Sequence, residues 1–240
     1  MTILNIETST DICSIALSKD GMILHDKVVG NNSEHHSQAS EQLGSMVDEA
    51  MTILEDRHLK LDAVAVSAGP GSYTGLRIGV SMAKGIAYGS DARLIAIPTL
   101  ELLCVEPLLK GLPSNLSPLT SNLSPLLCPM LDARRMEVYA AIYDTSLRVV
   151  RAPQADVVDG ETYKSFLDEH DIYFFGNGAE KCMPVINHPR AHYLPDIQPL
   201  AKNMMPLAEK RFYASQFEDV AYFTPEYLKA YQAKLPKKLL

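Results

Sequence analysis

The chain opens with three short stretches in which apolar and polar positions alternate, and then changes to helical spacing. Residues 2–7, 12–18 and 22–29 read as strands: Cys13, Ile15 and Leu17 alternate with Ser14, Ala16 and Ser18, and Asp20-Gly21 supplies a hairpin turn. A helix is expected over about 36–56, with Ala39, Leu43, Met46, Val47, Ala50 and Leu54 on one face and Asn32 or Ser33 as its cap. The uninterrupted apolar run Ala63-Val64-Ala65-Val66 fits a buried strand. A turn with Gly69, Pro70 and Gly71 then leads into a second helix over about 74–89, and residues 93–97 make a strand before Pro98. The order is β-β-β-α-β-α-β.

The second half repeats that order. Strands are expected at 127–132, 137–143 and 147–151, a helix at about 160–169, a strand at 172–175, a helix at about 179–187 and a short strand near 192–194. Glu7 ends the first strand of one half as Asp132 ends that of the other, and Gly69-Pro70-Gly71 corresponds to Gly176-Asn177-Gly178. The expected organisation is an N-terminal lobe over 1–104, a C-terminal lobe over 105–215, and a tail over 216–240 that returns to the first lobe. Between the halves, 107–129 holds five prolines and a direct repeat, Ser114-Asn115-Leu116-Ser117-Pro118-Leu119 against Ser121-Asn122-Leu123-Ser124-Pro125-Leu126. Prolines at a seven-residue interval forbid a continuous helix, so this segment reads as an insertion in a surface loop. One further helix is expected behind Pro206, with Leu207, Ala208 and Phe212.

The helix after the glycines has an unusual circumference. At ~100° per residue its apolar and small positions cover about 220°, where a helix on one sheet needs only about 100°. Arg77, Ser81, Lys84 and Tyr88 fill a narrow polar stripe, and Gly75, Gly79, Ala83 and Ala87 repeat every fourth residue, a seam that admits another helix closely. Either the first helix covers that seam within the chain or a second chain does. The breadth of the arc favours the second, with Gly75, Leu76, Gly79, Val80, Ala83 and Ala87 in the interface beside Leu43 and Val47 of the first helix.

With 240 residues, 47% of them hydrophobic, the chain can bury one large core or two smaller ones. A net charge of -7 argues against gripping nucleic acid over a broad surface, and basic residues gather only at Lys234, Lys237 and Lys238. No apolar run approaches the roughly 20 residues of a membrane span, and no leader precedes the first strand, so a cytoplasmic protein is expected, with no membrane contact. Cys13, Cys104, Cys128 and Cys182 form no CxxC pair and read as buried free thiols. The glycine-rich turn at a helix start is a natural anion cradle, with Glu7, Thr8, Gly69, Gly71 and Ser72 as its binding residues. Its spacing fits neither the dinucleotide fingerprint nor the P-loop. Glu7, Asp11 and Asp132 have the chemistry to hold magnesium. His35 and His36 lack a histidine one turn on, where Ala39 and Ser40 stand, so no metal site is expected. Cys13 and Ser14 lie in a strand without an activating histidine, and no nucleophilic residue is assigned.

Two such lobes, each with an acid ending its first strand, resemble the duplicated ribonuclease-H-like fold of actin, sugar kinases and heat-shock chaperones, an α/β class whose clefts bind ATP. The first hairpin of that class carries an Asp-x-Gly-Thr type loop. Here Glu7-Thr8-Ser9-Thr10 lacks the glycine that brings amides close to phosphate. More specifically, Ile3-Leu4-Asn5-Ile6-Glu7-Thr8-Ser9, the turn from Gly69 to Gly79, Asp132-Ala133-Arg134-Arg135-Met136-Glu137-Val138-Tyr139 and Pro225-Glu226-Tyr227-Leu228 resemble the TsaB (YeaZ) family over nearly the whole chain. The resemblance implies a non-catalytic accessory protein for N6-threonylcarbamoyladenosine beside the tRNA anticodon. It further implies pairing with the paralogous transferase TsaD, a joining ATPase of the TsaE type, homodimers when alone, and tRNA contacted indirectly or weakly. It implies no tightly bound cofactor, with ATP or ADP bound only within the complex. The competing readings are an ATP-dependent small-molecule kinase of the same superfold and a glycopeptidase-like metalloprotein.

Overall fold

The computed structural model describes residues 1–30, 42–113 and 123–229. β1 (Thr2–Glu7), β2 (Cys13–Lys19) and β3 (Met22–Val29) form an antiparallel meander, and β4 (Ala63–Gly69) and β5 (Arg93–Pro98) continue the sheet in parallel, giving the order β3-β2-β1-β4-β5. The second sheet comprises β6 (Leu126–Asp132), β7 (Glu137–Tyr143), β8 (Val149–Val157), β9 (Ile172–Phe175) and β10 (Ala191–Leu194), in the order β10-β9-β6-β7-β8. Taken from its other edge it has the same connectivity and the same parallel and antiparallel pairings as the first. This is the two-lobe α/β fold that the sequence pattern implies.

Both faces of the first sheet are covered. On one, Leu4, Ile6, Ile15, Leu17, Val64 and Val66 pack under α1 (Leu43–Asp56) and α2 (Tyr73–Gly89). The intervening residues face the other way, as a period of two requires, and Ile3, Ala63, Ala65, Ile95 and Ile97 form a second layer. The serines of β2 lie on this second face, which their polarity would assign to solvent. They are buried and bonded instead: Asn5 Nδ2 donates to Ser18 Oγ at 3.2 Å, and Ser14 Oγ accepts from the Ala201 amide at 2.9 Å.

The element that joins the lobes is α3 (Thr99–Lys110). Leu102 and Val105 enter the layer under the first sheet, while Leu100, Leu103 and Cys104 pack with Leu127, Leu131, Ala141, Tyr143, Tyr173 and Phe175 of the second. A helix apolar on all sides is what a position between two sheets demands. Pro98 caps it and Pro107 lies in its last turns, so the proline-rich reading of 107–129 overlaps its end; the boundary expected at 104 falls inside it. β6 takes the far end of the same stretch, and residues 114–122, with most of the direct repeat, lie outside the described residues. So do His35, His36, Ala39, Ser40, the expected start of the first helix, and Lys234, Lys237 and Lys238.

Further along, the expected helix at 160–169 contracts to the single turn α4 (Lys164–Leu167), because Asp159 Oδ1 holds the Glu161 amide and the Thr162 hydroxyl in a side-chain turn. The expected helix at 179–187 is a 3-10 turn over Glu180–Cys182, with Pro184 close behind. α5 (Met205–Tyr213) has Pro206 in its first turn, and Met204, Leu207 and Ala208 pack against Ile3 of the first sheet. Residues after 200, expected within the second lobe, thus lie on the first. Leu103→Ala is expected to lower unfolding stability by about 2–5 kcal/mol, because its methyls fill the joint between α3 and the second sheet. Urea denaturation measures this, and a loss under about 1 kcal/mol would show that the joint repacks freely.

Candidate functional site

The β1–β2 turn and the glycine-rich turn are locked together. The Ser72 amide donates to Ser9 O at 2.6 Å, the Thr8 hydroxyl donates to Gly75 O at 2.8 Å, and Ser72 Oγ caps α2 by accepting from the Gly75 amide at 3.2 Å. The approach leaves no room for side chains. A Cβ on Gly71 would lie 2.3 Å from Ser9 O, one on Gly75 2.0 Å from Thr8 O, and one on Gly79 2.2 Å from Thr8 Oγ1. The glycines therefore bring the backbone close to another segment of the same chain, and the amide of Ser72 is aimed at a carbonyl rather than into an open cradle.

Glu7 lies beneath this junction, fully buried. Its Oε1 accepts from the Ser9 amide at 2.5 Å, and Oε2 and the Ser9 hydroxyl have no hydrogen-bond partner among the described residues. Burial pushes its pKa up from 4.5 to about 7, opposed in part by the nearby Ser9 and Ser67 hydroxyls and the Ser9 and Thr8 amides. Burial also raises the Cys13 thiol, to about 11, with the Glu7 charge adding to the effect. All four cysteines are free and buried. Among the described residues no three carboxylate, histidine or cysteine side chains converge to hold a metal; Glu7, Asp11 and Asp132 are not brought together.

The second lobe presents the counterpart turn. The Asp132 amide donates to Asn177 Oδ1 at 2.9 Å, and Asp132 Oδ1 accepts from the Arg134 amide at 2.8 Å and from Lys181 Nζ. Lys181 also donates to Glu137 O at 2.7 Å. Residues 225–229 form a strap between the two turns. The Glu226 amide donates to Ala68 O at 2.7 Å in the first lobe, and the Lys229 ammonium pairs with Glu137 Oε1 in the second. Gly69, at φ +105°, is glycine for this contact: a Cβ would lie 2.5 Å from Glu226 O. The Tyr227 ring lies 4.7 Å from that of Tyr73, the Arg77 guanidinium sits 4.1 Å over the Tyr73 ring, and Arg77 Nε donates to Tyr227 OH at 3.3 Å. Lys84 anchors the preceding stretch by donating to Ala221 O and Phe223 O at 3.0 and 3.1 Å.

The seam expected to face a partner is internal. Gly75, Leu76, Gly79, Val80, Ala83 and Ala87 are all buried in α2, and Leu43 and Val47 are buried in α1 against the same cluster. Val80, Ala83 and Ala87 join the cluster that also holds α1 and the sheet, and Gly75 and Gly79 meet the Thr8 turn, so the wide apolar arc is buried within the chain. The outer face of α2 carries a different small-residue row, Ser81, Gly85 and Gly89, with half-buried Ile78 and Met82 on one flank and exposed Tyr88 on the other. A Cβ on Gly85 or Gly89 would meet open space. Lys84, Tyr73 and Lys229 were not singled out from sequence as strap anchors; the signal present was the Pro225-Glu226-Tyr227-Leu228 motif, which says nothing of where it docks.

Two consequences are measurable. Gly75→Ala is expected to destabilise by about 1–3 kcal/mol through overpacking, whereas Gly85→Ala should stabilise by about 0.5–1 kcal/mol through helix propensity; thermal unfolding of both variants distinguishes a locked turn from a loose one. The Glu7 carboxyl keeps its proton in the folded chain to about pH 7 but loses it near 4.5 when unfolded. Its contribution is fully present below pH 4.5 and is lost as pH rises through 7, about 3 kcal/mol in all. Urea midpoints at pH 5 and 8 should show this decline, and Glu7→Gln should flatten it.

The family model described as TsaD: tRNA N6-adenosine threonylcarbamoyltransferase matches residues 30–237. The chain is 31% identical over 143 residues to the tRNA threonylcarbamoyladenosine biosynthesis protein TsaB of Bacillus subtilis, a match covering 60% of this chain and 55% of that protein. It is 27% identical over 255 residues to the TsaB protein of Escherichia coli, covering 99% of this chain and 100% of that protein. The solved structure of YeaZ from Pseudomonas aeruginosa superposes with a TM-score of 0.73 at 22% identity over 95% of this chain and 99% of that one, a likeness of fold. No helix among the described residues is long and apolar enough to cross a membrane. By the extent of the family match, the full-length relative and the shared fold, the chain belongs to the TsaB/YeaZ family.

Proposed function

We propose that this chain is a non-catalytic accessory subunit that pairs with and activates a TsaD-type transferase in forming N6-threonylcarbamoyladenosine beside the tRNA anticodon. The observation that carries the reading is the interlock of the two N-terminal turns. The Ser72 amide and the glycine faces that would cradle a triphosphate in a kinase of this superfold are occupied by the same chain: the amide donates to Ser9 O, and the glycines abut Thr8 and Ser9. ATP or ADP then binds only within the assembled complex, which a TsaE-type ATPase joins. Pairing uses the outer row of α2, where Ser81, Gly85 and Gly89 admit a partner helix between Met82 and Tyr88. The same row makes the homodimer when the partner is absent, and tRNA is met mainly through the partner.

The test mixes the purified chain with its TsaD-type paralogue and tRNA. Gly85→Arg adds a long side chain on an exposed helix face, where a Cβ meets no other atom within 4 Å among the described residues. It should leave the fold intact and abolish both pairing and stimulated tRNA modification; unchanged pairing would reject the α2 row. Calorimetry of the isolated chain with Mg-ATP should show no binding, and micromolar binding would favour the kinase reading.

A further inference from the structure

The hairpin between β6 and β7 holds two consecutive arginines, Arg134 at φ 74° and Arg135 at φ 51°. Both lie in the left-handed region, which is unfavourable for side chains other than Asn, Asp and Gly. Both are exposed, and neither guanidinium has an acceptor or ion-pair partner among the described residues. The carboxylates nearest in the chain do not neutralise them. Asp132 pairs with Lys181, and Glu137 pairs with Lys229 of the strap, while Lys181 also donates to Glu137 O. The two lysines cancel the two carboxylates, so the hairpin presents the two guanidinium charges uncompensated, on a chain whose overall charge is -7.

We infer that Arg134 and Arg135 are a contact for the phosphodiester backbone of RNA, held out on a hairpin whose two carboxylates are already paired with Lys181 and Lys229. Guanidinium groups match phosphate oxygens with paired donors, and a pair of adjacent unneutralised charges suits two phosphates in a strand. On a chain of net charge -7 an uncompensated basic pair offers RNA a local attraction against the overall repulsion, so the contact bears on where the polynucleotide lies as much as on how tightly. This inference rests on the proposed role in tRNA modification and adds to it a direct contact from the accessory chain.

The experiment uses the complex of this chain with its TsaD-type paralogue and measures tRNA affinity by anisotropy across a salt series. Arg134→Asn with Arg135→Gly removes both charges and supplies the residues that accept positive φ most readily, so the variant should fold at least as stably as the parent. The slope of log K against log salt should fall by between about 1.4 and 1.8, with pairing to the paralogue unchanged, and Arg134→Lys with Arg135→Lys should retain most of the slope. An unchanged slope with pairing intact overturns the RNA contact and leaves the accessory role standing. Loss of pairing in the absence of tRNA overturns it too, by assigning the hairpin to a protein interface. Failure of the parent chain to pair or to support modification is the separate result that removes the accessory role itself.

Discussion

Burial of α3 on two sides is the constraint from which the rest of the molecule follows. A twelve-residue helix with Leu102 and Val105 against one sheet and Leu100, Leu103 and Cys104 against the other gives the lobes a single continuous joint. Each sheet needs cover on that face, and α3 supplies part of it to both. The first completes its cover by recruiting α5 from the far end of the chain, with Arg211 paired to Glu101 at 2.6 Å between the two helices. Both partners of that pair are largely buried, so the ion pair fixes the relative register of the helices more than it adds stability.

Fixing the joint also fixes the opposite edge of the molecule, where the strand ends of both lobes meet the strap. The first lobe's turns are closed on each other by the Ser72–Ser9 backbone bond and the Thr8 hydroxyl with glycine at each close approach, and the second lobe's Gly176 and Gly178 approach Met130 and Leu131 as closely. A buried, half-titrated Glu7 at the first of these junctions is tolerable only because protonation removes its charge when donors are short. The glycine-rich turn that the sequence offers as an anion cradle is therefore packed against the β1–β2 turn of the same chain.

The strand order, both helices of the first lobe and the correspondence of Glu7 with Asp132 were legible because alternation and helical spacing report which residues face a core. What escaped did so for identifiable reasons. α3 has apolar residues on nearly all sides, hence no clear period to detect, and Pro98 and Pro107 read as breaks although one stands at the N-cap position and the other inside the helix near its end. The width of the apolar arc on α2 was read correctly, but an arc records how much surface is buried and not by whom. Gly75 and Gly79 meet Thr8, which lies some seventy positions earlier in the chain, and no local pattern carries that information. Nor does it carry the left-handed backbone at Arg134 and Arg135, since nothing in the residue types announces positive φ.

The strap shows how the two ends of the site are kept in one frame. Its ion pair between Lys229 and Glu137 is partly exposed and by itself contributes little. The fixed points are instead the backbone bond from Glu226 to Ala68, the two carbonyls gripped by Lys84, and the Tyr73–Tyr227 contact beneath Arg77. All of these lie on the first lobe, so the strap behaves as an extension of that lobe whose tip rests on the β6–β7 hairpin. A shift of the second lobe about α3 would be felt first at Lys229 and Glu137.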